Sequence, residues 1–455
     1  MVLLAAFLQL YPGELINVRA RVRSSVQTAS DGLTLSVAIE IALRSNPLIR
    51  ATSSGREMAD AQLGEARASR FPLLQLGETF IRSNNPVFVF GSLLEQGRFG
   101  PQNFDPQFLN NPDSLRNFRS SITFRLPLFD QKQSDTRISQ ARIGQQQADS
   151  RRDSVEQQIR FEVLRAYYGV LVAQATKEVA GEAVKSAAAD VKRIGDLVDA
   201  GVVVQSDSLS AEVQLAEFRQ QQIQAEGDLV IAQAALNTVL GVAVDTPQSV
   251  TGQLGEKTFN TGTQAELIGL ALDRRADLAR AGLSLKSGKE RTRGVRGEYL
   301  PRVDAFGTYG ISAQNLANGS SDYTVGASVT VNLFDAGRSA RLKQARAAEN
   351  AAAAEAENLA SQIRFEVVRA YQQYVSARER VSVAARAVDQ ASEARRIVQD
   401  RYQAGLTTIT EVLRAETTFV RARMSLLAAR YDHYIGYANV LLATGRLTAV
   451  DDFVS

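Results

Sequence analysis

The segment QIRFEVLRAY (Gln158–Tyr167) returns as QIRFEVVRAY (Gln362–Tyr371), 204 positions later, with nine of ten residues unchanged. Chance does not give that match at that distance. The chain of 455 residues therefore carries an internal duplication, and a repeat governs every other reading of a sequence. The correspondence extends outward from the phrase. RLPLFDQKQS (Arg125–Ser134) answers TVNLFDAGRS (Thr330–Ser339), and DAGVVVQSDSLSAE (Asp199–Glu212) answers QAGLTTITEVLRAE (Gln403–Glu416). More weakly, ALRSNPLIRA (Ala42–Ala51) answers ALDRRADLAR (Ala271–Arg280), and Pro72 stands opposite Pro301. The spacing of equivalents falls from 229 between the prolines to 205 between Phe129 and Phe334, so the first half carries about 24 extra residues. They lie between Asn84 and Asn117, rich in Pro, Asn and Phe, and read as a long loop. The repeats are expected over 31–250 and 262–445, with a polar linker at 251–261 and a tail at 446–455. Residues 1–30 read as a polar linker behind the remains of a secretory signal, MVLLAAFLQLYP, which lacks a basic n-region.

The phrase itself belongs to a helix. Counting from Ile159 in alternating steps of four and three reaches Val163, Ala166, Val170, Ala173, Lys177 and so on to Val198; eleven of twelve positions are apolar. The same count from Ile363 to Tyr402 again gives eleven of twelve, with Arg395 the outlier. A sustained period of about 3.5 demands coiled-coil packing, and the many alanines imply close partners. Uninterrupted helices are expected over 130–200 and 335–404, each on the order of 100 Å long, with Asp130 and Asp335 as N-caps. Gly201 and Gly405 end them. Returning helices are expected over 206–240 and 410–442.

Before each long helix the period changes to two. Over 322–333, Tyr323, Val325, Ala327, Val329, Val331 and Leu333 alternate with Thr324, Gly326, Ser328, Thr330 and Asn332; similar runs occur near 302–313, 118–128 and, less cleanly, 73–83. Each run reaches about 10 residues, the length a tilted strand needs to cross a bilayer. Phe80, Phe129, Tyr299, Tyr323 and Phe334 are placed to form an interfacial girdle. Four strands cannot close a barrel, and an open edge in lipid leaves backbone groups unpaired at several kcal/mol each. Several chains must then contribute; three would supply twelve strands.

Composition narrows the function. A net charge of +3, from 52 basic and 49 acidic residues, leaves no electrostatic footprint for nucleic acid. With no cysteine, thiolate metal sites and a cysteine nucleophile are ruled out; with His433 the single histidine, a His-based metal site or triad is not expected, and His433 reads as structural. No G-x-x-x-x-G-K-[ST] loop is present. No metal, cofactor or enzymatic activity is expected.

The order of these motifs resembles the TolC-type outer-membrane efflux proteins from about Leu33 to Gly445: the LPLFD and VNLFD strand-to-helix junctions, the AGVVVQSD and AGLTTITE tips, and the ALNTVLG and ANVLLATG endings. The resemblance implies a mainly α fold with membrane β: a homotrimer with a twelve-stranded barrel in outer-membrane lipid and a periplasmic α-helical barrel. It implies a passive exit duct for a tripartite efflux pump or type I secretion system, docked to a periplasmic adaptor and energised by an inner-membrane transporter. By position it implies that Asp207 and Glu411, six residues after the tip glycines, ring the periplasmic constriction. Where some members carry a second acid, this chain has Arg414, placed to pair with Glu411. The alternative is that both acids only cap the returning helices. Gly201, Val202, Val203, Gly405, Leu406 and Thr407 are the adaptor-contact candidates, and Pro72, Phe129, Asp130, Pro301, Phe334 and Asp335 mark the junctions. The competing reading is a soluble or peripheral coiled-coil scaffold with the strands in small sheets.

Overall fold

The computed structural model describes residues 32–315, 318–448 and 453. The expected signal remnant and linker at 1–30 lie outside them, as does most of the tail. Each repeat lays down a helix pair, two strands and a helical hairpin in that order, and the first adds short helical turns between its strands. The first contains α1 (Leu35–Ser45), α2 (Pro47–Ala68), β1 (Leu73–Ser83), the short helices α3 (Pro86–Glu95) and α4 (Pro106–Asn110), β2 (Leu115–Asp130), α5 (Gln133–Asp199) and α6 (Gln205–Leu240). The second contains α7 (Gln264–Arg274), α8 (Ala276–Gly297), β3 (Arg302–Asn315), β4 (Asn318–Thr330), α9 (Arg338–Gln403) and α10 (Ile409–Ala443).

The strands form one antiparallel sheet in the order β1-β2-β3-β4. Its register settles which side chains share a face. Arg119 pairs with Ser312, and Ser312 with Ser320; Thr123 pairs with Thr308, and Thr308 with Thr324. That face is polar. The opposite face is mainly apolar: it carries Phe118, Ile122, Tyr309, Tyr323 and Val325, all but Phe118 exposed in the protomer, with Glu78, Ser120 and Ser321 as its polar members. β4 begins at Asn318, four residues before the 322 expected, and stops at Thr330. Tyr323 is therefore not a strand end but stands inside β4 opposite Tyr309.

The long helices pack through the seam that the heptad defined. From Ile159 to Val198 every seam position is buried or half-buried except Lys177, and from Ile363 to Tyr402 none is exposed. α5 pairs with α6, and α9 with α10, as two helical hairpins. The repeated phrase lies at the heart of the main core. Ile159, Val163, Leu164 and Tyr167 meet Ile363, Val367 and Ala370 there, together with α1, α7 and the ends of α6 and α10.

Three expectations need correcting. The helices α1, α2, α7 and α8 were not anticipated; α2 and α8 pack beside α5 and α9. Asn46 ends α1 and its side chain caps α2 by accepting from Leu48 N (2.8 Å), with Pro47 in the first turn, where it lacks no needed N–H. The 251–261 linker is not a loose polar tether. Leu254 and Phe259 are buried in the main core, Phe259 stacks on Tyr437 at 4.1 Å, and its carbonyl accepts from Tyr374 Oη at 2.9 Å. The segment 84–117 is not a structureless loop, since Pro86, Pro101 and Pro106 each open a short helical turn.

Candidate functional site

The two hairpin tips are built alike. At the first, Gly201 takes φ +70°, its N–H bonds Val198 O (2.9 Å), and Val202 N–H reaches back to Leu197 O (2.9 Å). At the second, Gly405 takes φ +72°, with Gly405 N to Tyr402 O at 3.0 Å and Leu406 N to Arg401 O at 2.8 Å. This paired 6→1 and 5→2 pattern requires a left-handed residue, which glycine adopts without a Cβ penalty. Val202 and Leu406 project into solvent at 68 % and 67 % exposure. Val203 instead turns inward against the small core of Ile194, Ala211, Ile409 and Val412, and Thr407 is half-buried.

Asp207 and Glu411 both sit in the first turn of a returning helix, where a carboxylate is favoured by the helix dipole. Their surroundings differ. Glu411 accepts from Arg414 of its own chain at 3.0 Å, across an exposed pair. Asp207 has no ion pair among the described residues. Within range of its charge is Tyr402, whose hydroxyl is buried with no hydrogen-bond partner among the described residues; burial pushes that phenol up, and the Asp207 carboxylate adds to the shift. Sequence reasoning missed Tyr402 as a site residue, although it is the last position of the α9 seam, three residues before the tip glycine.

About three turns behind the tips, a polar cluster links the hairpins. Asp190 on α5 is buried, and its carboxyl is pushed up mainly by burial. Arg193 pairs with it at 3.3 Å, while Arg395 of α9 pairs with the buried Glu416 of α10 at 3.3 Å. Asp190 also feels the Glu416 carboxylate and the Arg395 guanidinium. Arg395 lies over the Phe419 ring at 4.0 Å, a cation–π contact. Arg395 was the outlier in the apolar seam; that irregularity was the available signal for the cluster.

At the other end of the long helices, Pro72 and Pro301 immediately precede β1 and β3. Asp130 and Asp335 are not the formal N-caps; those positions are Lys132 and Gly337. Both acids still tie down the turn. Asp130 Oδ2 accepts from Ser134 N (2.7 Å), and Asp335 Oδ1 accepts from Gly337 N (2.9 Å) while its carboxylate, paired with Arg341, is held below the usual range. Phe129 and Phe334 are exposed beside them, Phe334 at 88 %. His433 is a core residue. Its Nε2 is 3.0 Å from Lys257 O, its ring stacks on Tyr374, and burial lowers its pKa.

The arrangement is a sheet with one mainly polar and one mainly apolar face, continued by helices of about 100 Å that end in paired acidic tips. Solved structures share this form. The Campylobacter jejuni CmeC outer membrane channel superposes with a TM-score of 0.79 at 16 % identity, over 90 % of this chain and 85 % of that one. In sequence, Protein CyaE of Bordetella pertussis is 26 % identical over 404 residues, covering 86 % of this chain and 80 % of CyaE. Outer membrane protein TolC of Vibrio cholerae is 25 % identical over 357 residues, covering 73 % and 77 %. The outer membrane efflux protein family matches residues 38–242 and 267–446, taking in both repeats from the first helix pair to the end of the last hairpin. The chain belongs to the outer membrane efflux protein family.

Proposed function

We propose that three copies of the chain assemble into one passive exit duct, closed at its periplasmic end by the hairpin tips. The family is one of outer-membrane channels serving efflux and type I secretion. The observation that carries the trimer is the sheet. β1 and β4 each pair on one side only, so a protomer has two open edges. In hydrocarbon those edges must be joined, at several kcal/mol for each group left unpaired. Three copies joined edge to edge give a closed barrel of twelve strands, within the range of bacterial barrels.

In such an assembly the tips of six hairpins converge. Asp207 and Glu411 become two rings of carboxylates, which attract cations and repel anions. Tyr402 stands behind Asp207 and supports the closed arrangement. The exposed Val202 and Leu406, on the rigid turns at Gly201 and Gly405, form the contact surface for a periplasmic adaptor, with Val203 and Thr407 shaping the turns beneath. An apolar tip in water marks an interaction site. The inner-membrane transporter supplies the energy, and the outer membrane's lipid covers the apolar face of the sheet.

Single-channel conductance in a planar bilayer tests this reading. The purified protein should give a small, cation-preferring conductance. Asp207→Ala combined with Glu411→Ala should enlarge it and erase the preference. Conductance indifferent to the double substitution overturns the gate and keeps the channel. Absence of both conductance and a detergent-stable oligomer overturns the duct.

A further inference from the structure

The extra residues of the first repeat do not project away from the sheet. They fold back over its polar face. Glu95, the last residue of α3, pairs with Arg119 at 3.2 Å and accepts from Ser312 Oγ at 3.2 Å. Arg119 also donates to Ser312 Oγ (3.0 Å) and Asp322 (2.9 Å), tying three strands to the helix. The next residue, Gln96, is buried and donates from Nε2 to Arg116 O (2.9 Å) and Asn117 Oδ1 (3.0 Å). By the strand register, Asn117, Arg119, Ser312 and Asp322 all belong to the polar face.

The segment is also built as a unit. Asn85 caps α3 through Val87 N and Phe88 N, and Val89 and Leu93 are buried beneath it. Phe90, Phe99 and Phe104 pack edge to face at 4.9 and 5.1 Å. Asn103 Oδ1 accepts from Gly100 N at 2.9 Å. Yet Val87, Leu94 and Phe104 remain exposed in the protomer, at 82 %, 51 % and 66 %.

Resting on the trimeric duct reading, we infer that Pro86–Asn110 is an inward-folded lid at the outer mouth, a second constriction in series with the periplasmic tips. The segment joins the strand ends remote from the long helices, so it lies at the outer end of the barrel. The polar face lines the lumen, and the lids of three copies therefore approach the same axis. Their exposed apolar side chains cover one another there. The lid limits the size of solute entering from outside, while the Arg119 anchor lets it yield to cargo pushed from within.

The chain lacks cysteine, so single-cysteine variants give a clean test. Thr308→Cys places a thiol on the lumen face, and Val325→Cys places one on the lipid face. In intact outer membranes, a small impermeant maleimide added outside should label Thr308→Cys and spare Val325→Cys. A bulky polyethylene-glycol maleimide should fail on Thr308→Cys until residues 86–111 are replaced by a short Gly-Ser turn, or until Arg119→Ala and Glu95→Ala free the anchor. Bulky labelling that is equally fast with the anchor intact overturns the lid. Equal labelling of Thr308→Cys and Val325→Cys by the small reagent overturns the barrel reading beneath it. In unaltered lids, Leu94→Cys should be crosslinked chain to chain by a short bis-maleimide; its failure overturns the convergence of the three lids.

Discussion

Two carboxylates at equivalent positions of a repeat need not behave alike. Glu411 shares its charge with Arg414 at 3.0 Å, whereas Asp207 has no ion pair among the described residues. Cation preference should then rest mainly on Asp207. Arg414→Ala is expected to strengthen it, and Asp207→Ala to weaken it more than Glu411→Ala does; reversal potentials across a salt gradient measure all three. The pair itself adds little stability, since exposed ion pairs are worth about 0–1 kcal/mol. Asp190 poses a different case. Burial holds its carboxyl above the ordinary value, and the nearby Glu416 opposes ionisation while Arg193 and Arg395 favour it. A carboxyl raised in the folded state contributes stability that is present below its unfolded pKa of about 3.9 and is lost as pH rises through the folded value. Acid therefore tightens this junction between hairpins. Asp190→Asn should raise the thermal midpoint by a few degrees at neutral pH, and the gain should shrink as the pH is lowered towards 4. A gain that is constant with pH would show that Asp190 is not titrating there.

At the scale of the element, the sequence was legible where one local rule decides. The tip glycines needed only the left-handed turn, and the long helices needed only the heptad, because a coiled coil repeats one contact along its length. The strand faces needed only the period of two. The outer helices α1, α2, α7 and α8 were hidden for a physical reason. Each pair breaks after about three turns, α1 at Asn46 and α7 at Arg275, both extended at ψ 129° and 119°. In the sequence the first break looks like a loop around Pro47, and the second has neither proline nor glycine to mark it. The lid was misread for a related reason, since its prolines begin helical turns instead of excluding them. The Asp190, Arg395 and Glu416 cluster arises from contact between the repeats, and no spacing within one repeat encodes it. A helix of this outer layer gives a sharp packing test. At Gly297, the end of α8, an added Cβ would lie 2.0 Å from Gln131 O, at the turn where Gln131 and Lys132 both take left-handed backbone. At Gly282 on the same helix nothing lies within 4 Å. Gly297→Ala should cost about 1–3 kcal/mol by overpacking, while Gly282→Ala should gain about 0.5–1 kcal/mol from helix propensity. Chemical denaturation in detergent separates the two signs.

For the whole molecule, the two faces of one sheet decide where it can live. No helix among the described residues is long and apolar enough to cross a membrane, whereas the four strands, of 11 to 16 residues, have the length a tilted barrel strand needs. In β4 the adjacent residues Thr324 and Val325 stand opposite Thr308 and Gly307, near mid-strand, and point to opposite faces. Their fates under the same substitution should diverge. An arginine on the lipid face at mid-bilayer costs about 2–4 kcal/mol per site, and a trimer would carry three such sites around one barrel. An arginine on the lumen face remains in water and alters only the field along the pore. Val325→Arg should therefore abolish the detergent-resistant oligomer in outer-membrane fractions. Thr324→Arg should preserve that oligomer and shift the open channel towards anions. A small soluble sheet, the arrangement of the scaffold reading, imposes no such asymmetry. If Val325→Arg assembled in the outer membrane as well as Thr324→Arg, the sheet would not be crossing lipid, and the helices of about 100 Å would have to be explained without a barrel above them.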